Sequence, residues 1–455
     1  MSPSIEPFNE EKYKALMDGL NCNEILYSEV FPNNKIFRFD SEFFSREIMS
    51  IDHKMNNMPC FYLKPTEVVS GPFGSSLKSE SYLEHGDVPF VRIENIRGGF
   101  DINTDNIIYI SNADNERIKN SELKTNDIVL SKVGNSIGFF ARVDESIEVC
   151  NISENNIGIK LSAYSDVEKH YILTYLNCSY AQKLVLRRTS GNAQPKLNVG
   201  DMCYIPIPRF SNVFYNAVSK CIVDSKALIL KSKQAYYEAE QTLYDFLDLK
   251  DLDKCWDNIA IKSVRESFEI SGRLDAEYYY PKYEYIESSI NKENTVLSSC
   301  RLHDVNYTPK KDSIYRYIEL ANVDKNGGIN GVEYFNGEDL PSRARRVVKT
   351  GQIIVSSVEG SLSSCALITA EYDNAICSTG FYVVSSEKYN SETLMILFKS
   401  KAVQAMLKKR CSGTILTAIT KEEFEKMPLP DIDGAVQGII ARKIKDSFCL
   451  RDASK

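Results

Sequence analysis

Apolar residues between Ser211 and Leu249 recur at steps of three and four, with no Gly or Pro to interrupt them. The spacing predicts one amphipathic helix with a stripe through Phe214, Val218, Cys221, Leu228, Ala235, Ala239 and Phe246. Pro206 and Pro208 close the strand-like run before it, and Ser211 or Asn212 can cap its first turn. At 39 residues it would extend about 58 Å, longer than ordinary globular helices.

Before this helix the pattern predicts a short helix over Asn9–Leu20 and a polar helical stretch ending near Met58. Strand-like runs follow at Val88–Ile93, Ile107–Ile110, Asp127–Lys132 and Phe139–Val143, then a helix over Val167–Arg188 and a closing strand over Tyr204–Pro208. Val68–Ser79 and Ser190–Leu197 read as loops by composition.

Beyond a charged connector at Lys250–Asp257 the pattern restarts. Gly272-Arg273-Leu274-Asp275-Ala276-Glu277-Tyr278-Tyr279 repeats the chemistry of Phe37–Phe44, 235 positions later. Lys349–Ser356 repeats Lys124–Ser131 at 225, and Ala366 repeats Ala141. Ser412-Gly413-Thr414 follows Ser190-Gly191-Asn192 at 222, as Met427–Pro430 follows Ile205–Pro208. Val436, Ile440, Ile444 and Phe448 mark a second, shorter amphipathic helix over Asp433–Lys455.

The ordered matches imply an internal duplication, and the period is too long for a solenoid. The expected organisation is α+β: a lead-in over 1–50, a globular α/β domain over 51–210 and a spacer helix over 211–250. A second domain with its connector covers 251–431, and a short helix covers 432–455.

Composition is that of a soluble globular protein, 43% apolar and 26% charged. No apolar run approaches the ~18 residues of a membrane span, and the N-terminus lacks the pattern of a secretory signal; a cytoplasmic location is expected. The twelve cysteines and four histidines are scattered, which suits free thiols rather than a zinc site. The net charge of −7 opposes nucleic-acid binding unless cations gather locally.

Catalytic signatures are missing. There is no phosphate-binding GxxxxGK loop, no GxGxxG after a strand, no Asn- or Asp-Pro-Pro-aromatic motif and no GxSxG. Asp114, Glu122 and Lys124 imitate a nuclease triad but read better as surface charge. Glu94 and Glu319 take matching strand positions and read as structural. No cofactor is implied, and the chain points to recognition.

Cations gather in the loops that repeat. Arg187 and Arg188 precede Ser190, Asn192, Gln194 and Lys196; Lys408, Lys409 and Arg410 precede Ser412 and Thr414. Such cations can hold phosphates while the polar side chains reach base edges. Ser75, Ser76 and Lys78 offer a further loop, and Arg343, Arg345 and Arg346 a further cationic group. The competing reading is a helix end whose cations complement its dipole. The first loop reads SGNAQPKL and the second SGTILTAI, so two frameworks with different tips would read two different half-sites.

Taken together, Gly71–Lys78 with Tyr82, the Lys124–Gly134 block, Gly191–Leu197 leading to Ile205–Pro208, and Gly272–Tyr279 resemble a specificity subunit of a type I restriction-modification system. The resemblance covers most of the chain. It implies two target-recognition domains in pseudo-two-fold repeat, joined by long helices packed as an antiparallel coiled coil that spaces them. It implies a non-catalytic protein that binds double-stranded DNA at a bipartite asymmetric site. The implied partners are two methyltransferase subunits, which bind S-adenosylmethionine, and motor-nuclease subunits; no membrane is involved.

The second half departs from the pattern. Val305–Lys311 stands where the Gly-Pro-Phe-Gly-Ser-Ser loop is expected, and its last loop lacks Gln-Pro-Lys. The final helix is about 23 residues against 39, which puts its pairing in question. Two other readings stay open: a duplicated protein-interaction adaptor of a phage-defence complex, and a nuclease or methyltransferase with fused recognition domains.

Overall fold

The computed structural model describes residues 8–20, 24–27, 30, 38, 40–74, 76–96, 100–191, 195–248, 259–290, 294–412 and 417–455. It forms two compact units, Met1–Val223 and Asp224–Lys455. The boundary falls inside the long helix, so each unit owns part of it.

In the first unit, α1 (Glu10–Met17) is capped by the Asn9 side chain, and α2 (Arg46–Asn56) follows. β1 (Cys60–Phe61) pairs with β10 (Ile207–Pro208). The strands between are β2 (Val68–Ser70), β3 (Val88–Val91), β4 (Ile108–Ile110), β5 (Leu123–Lys124), β6 (Ile128–Ser131), β7 (Phe140–Arg142), β8 (Val149–Ile152) and β9 (Asn156–Ile159). They make two four-stranded sheets, ordered β2-β9-β6-β7 and β4-β3-β8-β5.

The run Ile128-Val129-Leu130 shows why these sheets stack. Ile128 and Leu130 face a helical core, while Val129 faces the other sheet. A strand apolar on both faces must be covered on both. The helices on the first face are α3 (Asp166–Leu176) and α4 (Ser179–Leu186). The single helix expected over Val167–Arg188 is broken where the Asn177 side chain bonds back to the Leu173 carbonyl. Next comes α5 (Asn212–Leu247), the long helix.

The second unit repeats this plan. After α6 (Pro281–Ser288) come β11 (Arg301–Leu302), β12 (Ile314–Ile318), β13 (Glu333–Asn336), β14 (Ala344–Val347), β15 (Ile353–Ser356), β16 (Cys365–Leu367), β17 (Ile376–Ser378) and β18 (Phe381–Ser385). Their orders are β11-β18-β15-β16 and β13-β12-β17-β14. Adding nine to each strand label of the first unit reproduces both. The parallel pairs also correspond, β3 with β8 and β12 with β17, the other strand pairs among the described residues being antiparallel. α7 (Ser391–Lys399) and α8 (Lys401–Arg410) cover the inner sheet as α3 and α4 do. A small ribbon of β19 (Cys411–Ser412) and β20 (Ala418–Ile419) leads to α9 (Gly434–Ser454).

The stripe expected on α5 is corrected. Its buried positions are Tyr215, Ser219, Ser232, Tyr236, Ala239 and Leu243, whereas Phe214, Cys221 and Phe246 are exposed. Two of the buried residues are serines held by hydrogen bonds. Ser219 Oγ lies 2.8 Å from Nδ1 of His170. Ser232 and Ser447 each donate to the other's backbone carbonyl, at 2.7 and 2.8 Å. Ser225 pairs with Ser454 and Glu238 with Lys443. Rising numbers on α5 meet falling numbers on α9, so the two helices run antiparallel. α9 also buries Ile440, Ile444 and Phe448 in the core of its unit.

Cys150, Cys365, Cys377 and Cys411 are buried free thiols. Burial pushes Cys365 and Cys377 up to about 12. Among the described residues no helix is long and apolar enough to cross a membrane, and no group of His, Cys, Asp and Glu is set to hold a metal.

Candidate nucleic-acid interface

The Arg-x-Asp motif of each half is a clamp on a helix end. Arg38 forks onto Asp40 and donates to the carbonyls of Arg187 and Thr189, just past α4. Arg273 forks onto Asp275 and donates to the carbonyls of Lys409 and Cys411 at the end of α8. Carbonyls at a helix end lack intrahelical partners, and an Arg side chain can supply them. The Arg38 fork holds the Asp40 carboxyl below its ordinary range, and the Arg273 fork does the same for Asp275.

Arg187, Lys409 and Arg410 at these helix ends join the clamp rather than face outward. The Arg187 guanidinium stacks 3.9 Å over Phe43, pairs with Asp52 and is 7% exposed. Its counterpart Lys409 lies 4.7 Å over Tyr278 and pairs with Glu287 at 2.7 Å. Arg410 reaches the same Glu287 carboxylate at 2.7 Å. Each residue of this set stands 235 or 222 positions after its partner in the first unit. The recurrence read as a DNA contact is, for Arg187, Lys409 and Arg410, also a feature of the fold: each charge pairs with a half-buried carboxylate.

The other candidates divide in the same way. Arg346 turns inward onto the Phe381 carbonyl and lies 5.9 Å from the Tyr382 ring centre. Arg188 is half-buried over Tyr204, and burial pulls its pKa down. Ser76, Lys78, Ser190, Lys196, Arg343 and Lys408 are exposed, and Arg345 is half-buried. Ser75, Asn192, Gln194 and Thr414 lie outside the described residues. Lys196 approaches Lys132, whose pKa is lowered by burial and then by that like charge.

Asp114 takes the Arg117 guanidinium and the Ser111 hydroxyl, and Glu122 accepts from Asn115, so no open triad forms. Glu94 and Glu319 do not correspond. β3 ends at Val91 and β12 at Ile318, and the next residues, Arg92 and Glu319, donate their backbone N–H to the side-chain oxygens of Asn95 and Asn322, at 2.9 and 2.8 Å. The position of Glu319 is thus filled by Arg in the first unit.

The outermost layer of each unit was not found from the sequence as a layer. The second sheet carries a small cluster on its outer face: Leu77, Tyr82, Val88, Phe90 and Ile110 in the first unit, and Tyr307, Tyr315, Tyr317 and Phe335 in the second. In the first unit the Gly71–Ser76 loop lies over it, with Phe73 83% exposed at its tip. A Cβ on Gly71 would stand 1.9 Å from the Ser153 carbonyl oxygen, so only Gly lets the loop sit this close. Beneath it opens a cleft of about 420 Å³, lined by Phe73, Tyr82, Arg92, Glu94 and Glu154 among others.

No protein-family model matches the chain, and no curated protein matches it. Among solved structures it is similar to the S subunit of a type I restriction-modification system from M. genitalium. That likeness covers 88% of this chain and 91% of the other at 12% identity, with a TM-score of 0.39. It is similar to the HsdS subunit of Thermoanaerobacter tengcongensis over 88% of this chain and 90% of that one, at 11% identity and a TM-score of 0.23. A third, from a study of complex assembly and conformational transition of the type I R-M system, covers 88% of this chain and 91% of that one at 10% identity and a TM-score of 0.27.

Proposed function

We propose that this chain is a non-catalytic specificity subunit that reads a bipartite, asymmetric DNA site. In this role it directs methyltransferase and restriction subunits to that site. One observation carries the reading. Two units share strand order, layer plan and helix-end clamp, yet differ in the chemistry of their outermost loops. A duplicated scaffold with diverged tips suits two related but unequal half-sites. The sequence motifs from Gly71–Lys78 to Gly272–Tyr279 support the same assignment. The long helix, anchored to one unit through Ser219 and to the other through Ser232, is the proposed spacer between half-sites.

Co-expression with a type I methyltransferase subunit and mapping of methylated adenines tests this. The expected motif has two half-sites with a fixed gap. A continuous motif, or methylation indifferent to this chain, contradicts it. The net charge of −7 favours the adaptor reading instead. Salt-dependent DNA binding by the assembled complex, weakened by Lys196→Ala, decides against the adaptor. Lys196 suits that test because it is exposed, whereas Arg187 is tied into the fold.

A further inference from the structure

Strand register shows what replaces the Gly-Pro-Phe-Gly loop in the second unit. Val68 lies opposite Ile159, which lies opposite Ile128. Leu302 lies opposite Val384, which lies opposite Ile353. Ile128 and Ile353 are the matched strand positions, so Leu302 stands for Val68. Five residues further along the chain stand Phe73 and Tyr307, each in the loop that follows this strand. The loop is present in both units with different residues.

In the second unit it is fixed against its neighbours. The Tyr307 amide donates to the Arg345 carbonyl at 2.6 Å. The Tyr307 and Tyr315 hydroxyls are 3.1 Å apart, and the Tyr315 hydroxyl accepts from the Lys310 amide at 3.0 Å. A Cβ on Gly337 would stand 1.9 Å from the Lys310 carbonyl oxygen, so the β13 turn also presses on this loop. Lys310, Lys311 and Arg343 are exposed, and Tyr334 on the adjoining β13 is 70% exposed. Residues 305–315 and 343–347 hold five cations and one carboxylate, Asp312, in a chain of net charge −7. Glu333 is the acidic residue of β13, opposite Tyr317. The matching loop of the first unit carries an exposed phenylalanine above a cleft lined by Glu94 and Glu154.

We propose that the second unit contacts its half-site through this loop, with the Tyr307 and Tyr315 hydroxyls reading base edges and Lys310, Lys311, Arg343 and Arg345 holding phosphates. The proposal rests on the reading of the chain as a DNA-specificity subunit and assigns the reading surface within it. Hydroxyls held at fixed spacing can donate to or accept from base edges, and cations around them set register on the backbone. Phe73 in the corresponding loop of the first unit offers apolar contact instead, as to a thymine methyl. One loop then accounts for unequal half-sites.

The test is selection from a pool of randomised duplex DNA by the full chain assembled with methyltransferase subunits. Tyr307→Phe with Tyr315→Phe keeps both rings and removes both hydroxyls. It is expected to relax the second half-site about tenfold at a contacted position and leave the first unchanged. Lys310→Ala with Lys311→Ala is expected to weaken binding to all sequences alike and to lower the salt slope by about 2. Phe73→Ala is expected to alter the first half-site alone. If the wild-type complex selects a bipartite site and the tyrosine and lysine pairs leave both sequence and salt slope unchanged, the surface is misassigned. If the wild-type chain selects no sequence, the DNA reading itself fails, and this placement with it.

Discussion

Arg38 and Arg273 each hold two carbonyls at a helix end while forking onto a carboxylate two residues away. Hydrogen bonds made by a charged group contribute about 1.5–3 kcal/mol each. Arg273→Ala is expected to cost about 2 kcal/mol or more, read as a lower urea midpoint with unchanged slope. Lys408→Ala, at an exposed position, is expected to stay within about 0.5 kcal/mol. Glu287 adds a pH dependence. Burial raises its pKa, but Arg410 and Lys409 outweigh burial and hold the carboxyl below its usual 4.5. The folded value lies below the unfolded one, so this stabilisation is complete above pH 4.5 and is lost as pH falls through the folded value. Glu287→Gln should therefore lower stability near neutrality and flatten its decline in acid, as followed by urea midpoints from pH 7 to pH 3. Charge pattern alone could not tell these cations from Lys196 or Arg343. A basic helix end looks the same whether its partner is a phosphate or a distant carboxylate such as Asp52, 135 residues away in sequence.

At the scale of elements, the short helix α9 is a core piece of its unit. Ile440, Ile444 and Phe448 are buried with residues of β15, α7 and α8. Ile444→Ala is expected to cost about 2–5 kcal/mol. Where α9 crosses α5, Ser232 and Ser447 are small enough for each hydroxyl to reach the opposite backbone. Ser447→Leu is expected to cost about 1–3 kcal/mol through overpacking, measured in the same unfolding experiment. The length and limits of α5 were legible from periodicity, since nothing between Asn212 and Leu247 breaks a helix. Its buried face was not. Hydrophobicity places Phe214 and Cys221 inside, but the packing surface follows Ser219 and Ser232, whose burial depends on partners far away in sequence. The break between α3 and α4 was missed for a similar reason, because the Asn177 cap is a side-chain bond rather than a pattern.

At the scale of the whole molecule, the duplication was legible because the residues that repeat do structural work in both units. Arg38 and Arg273 clamp a helix end, while the Lys124 and Lys349 blocks supply the doubly buried central strands β6 and β15. The loops proposed to read DNA were legible as loops, with Val305–Lys311 near the place of Gly71–Lys78, but not their register. The spacing between halves drifts from 235 to 222 through insertions and deletions, and the match of Val68 with Leu302 at the base of these loops emerges from strand register. The recognition account requires that the helix between Ser219 and Ser232 set spacing without setting sequence. Removing seven residues there shortens a helix by ~10 Å and nearly preserves its facing, because seven residues are close to two turns. The most direct measurement is the methylated-adenine map of this deletion beside that of the intact chain, each co-expressed with methyltransferase. The account predicts the same two half-sites with the gap shortened by about three base pairs. Altered half-sites with an unchanged gap would contradict it.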